Sequence, residues 1–224
     1  RTMLHDRRVL LVLDDVYDEA QVRPLLPAGA SAVVLMTARR PLSGLDAAER
    51  IRLDVLPHHQ AWEMLATSAG QRRVTADPAA IDELVRVCGQ WPLALRVAGN
   101  RLASRPAWGI RYLLDRLRDQ RRRLALLHAG DLDLRAAFTE SYRQLPPATA
   151  TVFRSAAAIP GYDFGAAQAA AAAGTGEEEA AAACEELVDA GLLRQVTADR
   201  YSFHELVRSF AAQCPQTDSR PVTA

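Results

Sequence analysis

The 224 residues hold 27 basic and 27 acidic side chains, so the chain has no formal net charge and no global electrostatic pull toward nucleic acid or anionic membrane. All 27 basic residues are arginine, and without lysine the phosphate loop G-x-x-x-x-G-K-[ST] is excluded from these residues. No run approaches the roughly 20 apolar residues of a membrane span, and Cys88, Cys184 and Cys214 lack the paired spacing of a zinc or redox site, so a cytoplasmic protein with reduced thiols and no membrane partner is expected.

The first element is the run from Arg8 to Asp15, an apolar stretch ending in two adjacent acids. It reads as a parallel strand buried on both faces that delivers carboxylates to a ligand crevice at its carboxyl end. The alternative is a strand that ends in a polar turn, with Asp15 capping the next helix. A short helical segment around Asp18 to Val22 and breakers at Pro24 and Pro27 lead to a second strand, 32–36, so the order is strand, crossover, strand. Thr37-Ala38-Arg39 then emerges on the same sheet edge as Asp14 and Asp15, where a guanidinium can fork onto phosphate oxygens. The alternating run Ile51 to Val55 predicts a third strand before Pro57.

Beyond Pro57 the pattern is helical. One helix begins at His58-His59, which read as solvated. Asp77-Pro78 starts another, which Gly89 ends. Cys88-Gly89-Gln90-Trp91-Pro92 opens an apolar helix running to Leu102. A longer helix is expected from Tyr112 to Leu127, with Arg121 to Arg123 on an exposed face. From Asp131 the chain reads as helix, Pro146-Pro147, helix, two Ala-rich helices, a hairpin from Leu192 to Phe203, and a final helix from His204 to about Gln213. That order predicts a winged helix-turn-helix. His204, at the entry to the final helix, is placed to donate a hydrogen bond to a phosphate. Glu177 to Glu179, Glu185, Glu186 and Asp189 crowd the helices before the wing, so DNA is a partner suggested by the fold and opposed by the charge.

The order of these motifs resembles the NB-ARC module of signal-transducing ATPases, most closely its bacterial form in large SARP-type antibiotic regulatory transcription factors. The resemblance runs from Arg8 to about Ala212. It implies that Asp14 and Asp15 are the catalytic Walker B acids, with Asp14 holding Mg²⁺ through water, and that Arg39 is the sensor arginine. It further implies that Pro92 is the proline of the GLPL motif beside adenine and that His204 is the histidine of the MHD motif on the diphosphate. Two departures stand out: Gln90-Trp91 replaces Gly-Leu, and Glu205 stands where Asp is common, which is expected to loosen the clasp between domains.

The expected fold is thus an α/β remnant of a P-loop parallel sheet over residues 1–56, an all-α helical bundle over 57–128, a winged-helix domain over 129–214 and a tail over 215–224, mostly α overall. The opening at Arg1 suits a segment of a longer protein. The resemblance implies the distal part of an ADP/ATP switch in a transcriptional regulator, closed with ADP and opened by ATP exchange. ADP or ATP and Mg²⁺ would be its cofactors in the intact module. An upstream phosphate-loop segment, an effector domain and, on activation, further copies of the chain would be its partners. The family's slow ATPase activity is not expected of these residues alone, nor is tight nucleotide binding. The alternative is a standalone winged-helix regulator that binds DNA or protein and keeps a vestigial nucleotide site.

Overall fold

A computed structural model describes residues 8–27, 31–46 and 48–215. Strand β1 (Val9–Val16) pairs in parallel with β2 (Ala32–Ala38), Val9 opposite Ala32 through Leu13 opposite Met36. A parallel pair requires a crossover, and here it contains α1 (Glu19–Val22). Asp18, not Asp15, caps that turn, its carboxylate accepting the Gln21 N–H at 2.8 Å. The register slips after Leu13, and Asp15 sits in the left-handed region at φ 52°.

Burial of β1 on both faces is not what the fold delivers. Leu10 is 63% exposed and Val12 55%, and Val33 and Leu35 of β2 share that open face. The cause is the size of the unit: two strands and a cluster built on Val16, Val22 and Leu45 cover one side only. The third strand is absent too, since residues 48–57 form neither helix nor strand and Leu53 is 90% exposed. Alternation supplies a period but not a partner edge. The Arg50 guanidinium instead gathers the carbonyls of Leu42 and Leu45, each at 2.8 Å, and the chain then turns to the bundle, where the Leu56 N–H meets Gln90 O at 3.0 Å.

The bundle comprises α2 (His58–Ala69), α3 (Gln71–Ala76), α4 (Pro78–Val87), α5 (Pro92–Ala103), α6 (Ile110–Arg118) and α7 (Gln120–Leu126). Asp77 caps α4 through the Ala80 N–H at 3.1 Å, as its position before Pro78 predicts. The long helix expected from Tyr112 to Leu127 is broken at Asp119, which leaves helical geometry and accepts the Arg121 N–H at 3.0 Å, starting α7 afresh.

A short hairpin, β3 (His128–Ala129) and β4 (Leu132–Asp133), leads into α8 (Leu134–Arg143), which Asp133 caps. Then come α9 (Pro147–Ala156), β5 (Asp163–Phe164), α10 (Ala166–Ala173), α11 (Glu177–Asp189), β6 (Arg194–Thr197), β7 (Arg200–Ser202) and α12 (Glu205–Ala211). The last three strands form an antiparallel sheet in the order β5-β7-β6. The described residues are thus mostly helical, and no helix among them is long and apolar enough to cross a membrane.

One apolar core runs unbroken from α2 to α12, separate from the small cluster beneath β1 and β2. Aromatic rings bridge it: Trp91, before α5, meets Phe138 of α8 edge-on at 5.3 Å, and Phe138 meets Phe210 of α12 at 5.6 Å. The turn between α4 and α5 is therefore packed directly against the C-terminal helices.

Candidate functional site

Two groups of side chains hold the predicted residues. The first lies at the carboxyl ends of β1 and β2. The Thr37 hydroxyl donates to the Asp14 carboxylate and accepts the Asp15 N–H at 2.9 Å, a pairing that ties the two strand ends together. Arg39 donates Nε to the Asp15 carboxylate at 2.9 Å and reaches the Ser141 hydroxyl on α8 with Nη1 at 3.3 Å. Its neighbour Arg40 lies 3.7 Å from Glu186 on α11, with its Nε buried and without an acceptor. Asp14, Asp15 and Arg39 therefore share one edge, as two parallel strands demand. The contributions of Thr37 and Ser141 carry no sequence signal of their own.

The second group surrounds His204, the N-cap of α12. Its Nδ1 accepts the Leu206 N–H at 3.2 Å, so the ring proton resides on Nε2, which donates to Gly89 O at 2.8 Å. Both ring nitrogens are thereby engaged. Burial pushes the imidazole below its ordinary value of 6.5; the Gly89 bond opposes this, the nearby Arg194 adds to it, and Glu205 and Asp54 oppose it. Trp91 meets the ring edge-on at 5.4 Å, and its indole N–H is buried without an acceptor. Pro92 follows at the first turn of α5, exposed to solvent.

Gly89 has little freedom at this contact. Its φ is +62°, and a Cβ there would lie 2.0 Å from His204 Cε1. Gln90 also adopts a left-handed conformation, φ 61°, where a non-glycine residue costs roughly 1–2 kcal/mol. Departure from the Gly-Leu pattern thus places a side chain on a backbone that suits glycine.

Two ionic ties flank the imidazole. Arg194 of β6 donates to Asp54 at 3.1 Å. Arg123 of α7 is buried, 3% exposed, rather than on an open helix face, and donates Nε to Leu117 O at 2.7 Å and Nη1 to Glu205 at 2.6 Å. Glu205 thereby joins α12 to α7 of the bundle. No hydrogen bond or ion pair among the described residues links His204 to Asp14, Asp15 or Arg39.

Residues 1–75 match the NB-ARC domain family model. The chain is 39% identical over 221 residues to the regulatory protein AfsR of Streptomyces griseus, covering 99% of this chain and 23% of that protein. It is 40% identical over 220 residues to AfsR of Streptomyces coelicolor, covering 98% of this chain and 22% of that one. A probable disease resistance RPP8-like protein 2 of Arabidopsis thaliana is 32% identical over 113 residues, 46% of this chain and 12% of its own length. The chain spans less than a quarter of either AfsR relative. Its first 75 residues thus match the NB-ARC domain, and nearly its whole length is similar to a part of the AfsR regulatory proteins.

Proposed function

We propose that this chain is the distal part of an ADP/ATP switch in a transcriptional regulator, closed with ADP and opened when ATP replaces it. The single observation that carries the reading is the His204–Gly89 hydrogen bond, which fastens the entry of α12 to the turn before α5. A clasp with both ring nitrogens occupied has two discrete states, made or broken, and a ligand that binds one state better shifts the balance. A diphosphate oxygen offered to Nε2 would replace Gly89 O, so His204 would exchange a protein acceptor for a nucleotide one.

The strand-end group suits the opposite role. Asp14 is exposed and fits a hydrated Mg²⁺, which protein sites hold through one or two carboxylates together with phosphate oxygens. Mg²⁺ would supply charge neutralisation on the phosphates. Asp15 would orient the attacking water, and Arg39, released from Asp15 and Ser141, would reach a terminal phosphate. Trp91 and Pro92 would lie beside the base, where an acceptor on the ligand would satisfy the orphaned indole N–H. The C-terminal helices with the β6–β7 hairpin would be the winged-helix part that swings away.

The 224 residues contain no lysine and so no G-x-x-x-x-G-K-[ST] loop to hold β- and γ-phosphates, and the open face of β1 and β2 supports the view that further sheet belongs there. Calorimetry with ADP tests the reading: negligible affinity is expected for this chain alone and restored affinity for a protein extended upstream through a glycine-rich loop ending in Lys and Ser or Thr. Micromolar ADP binding by the short chain would overturn the claim of incompleteness, and an extended protein that still ignores ADP would overturn the switch.

A further inference from the structure

Between α5 and the β3–β4 hairpin lies a cleft of about 340 Å³, within the usual range for small-molecule sites. Asn100 and Arg101 line it from the last turn of α5, Ser104 and Arg105 from the residues just after it, and His128 and Gly130 from the hairpin. Arg101 is only 8% exposed, and its partners are neutral: the His128 carbonyl at 3.0 Å and the His128 ring nitrogen Nε2 at 3.3 Å. A buried cation without a counter-charge is costly.

Two further guanidiniums reinforce the field. Arg105 lies over the Trp108 ring at 4.7 Å, and Arg116 over Trp108 at 5.8 Å and Tyr112 at 5.7 Å. Aromatic faces hold a guanidinium plane while leaving N–H edges free for an oxyanion. Burial and the charges of Arg105 and Arg116 depress the Arg101 pKa, with no carboxylate acting against them. None of the three pairs with an acid among the described residues, whereas Arg111, Arg118 and Arg123 all do. The helix C-terminus contributes only about half a negative charge, and Arg73 already covers the Leu102 carbonyl there.

We propose that this cleft binds a phosphate-bearing ligand of small-molecule size, with Arg101 and Arg105 as its direct ligands and Arg116 strengthening the local field. This goes beyond the nucleotide switch, because no residue of the cleft belongs to that site. The shared chemistry is the phosphate oxyanion, and the concave shape favours a compact donor over a strand of nucleic acid.

The test is calorimetry on the full chain with inorganic pyrophosphate and, separately, with a short DNA duplex. Pyrophosphate should bind, and Arg105→Glu and Arg116→Glu should each weaken it about tenfold or more, as the loss of a charge-assisted contact implies. Should the charge reversal lower the melting temperature, Arg105→Gln serves in its place. DNA binding that falls on the same substitutions while pyrophosphate is ignored would overturn the small-molecule assignment and name a polynucleotide as the source of phosphate. Absence of binding by both ligands, binding indifferent to both arginines, or binding lost only on Arg39→Ala would overturn the proposal.

Discussion

The His204 imidazole donates to the carbonyl of Gly89 across 115 residues of sequence, at 2.8 Å, and the glycine lacks the one atom that would forbid the approach. Gly89→Ala tests this directly. Alanine at positive φ costs roughly 1–2 kcal/mol, and a Cβ at 2.0 Å from the ring forces His204 out as well. The total is on the order of 2–4 kcal/mol in chemical denaturation. In a His204→Ala background the same change should cost only the backbone part, since the ring is gone. Equal costs in both backgrounds would show that ring and glycine are uncoupled.

Gln90→Gly should act in the other direction. Relief of a left-handed non-glycine residue, offset in part by greater freedom of the unfolded chain, should stabilise by roughly 0.5–1 kcal/mol. A thermal melt that shifts down would indicate that the Gln90 side chain contributes more than its backbone costs.

Protonation should break the cap of α12, because Nδ1, which accepts the Leu206 N–H, is the ring nitrogen left to take the proton. His204 is held below its ordinary value of 6.5 by burial, so the folded state takes up its proton later than the unfolded chain does. The resulting stability is fully present above about pH 6.5 and declines as pH falls toward and through the folded value. Denaturation between about pH 7.5 and about pH 5.5 should show this loss, and His204→Gln should remove that share of it. An unchanged slope in the mutant would assign the pH dependence to other groups.

Glu205→Ala should be more damaging than its half-exposed carboxylate suggests, because it strands the Arg123 guanidinium, whose side chain is nearly fully enclosed. A loss of roughly 1–3 kcal/mol is expected, and Glu205→Asp should recover little of it because the shorter acid falls short of Arg123. Full recovery with Asp would mean that the extra methylene of Glu205 is not what spans the gap.

Much of this was legible in the residues. Pro78 and Pro92 mark helix starts, the pair Asp14-Asp15 marks a strand end, and the parallel order alone places Arg39 beside them. The clasp was legible on one side only: His204 could be located, but its acceptor is a backbone carbonyl, which every residue possesses. Arg123 was misplaced for a related reason. In Arg121-Arg122-Arg123 nothing distinguishes the member that turns inward; the break at Asp119, which resets the helix phase, decides it. Ile51 to Val55 alternates as a strand does, yet strand formation depends on a neighbouring edge that local pattern does not encode.

The most direct test is ADP dissociation from a protein extended upstream through its phosphate loop, compared between the native sequence and His204→Ala. If His204 trades the Gly89 carbonyl for a diphosphate oxygen, the mutant should lose ADP about tenfold faster or more. Equal dissociation rates would contradict the account, leaving His204 as a fastening between helices with no part in sensing nucleotide.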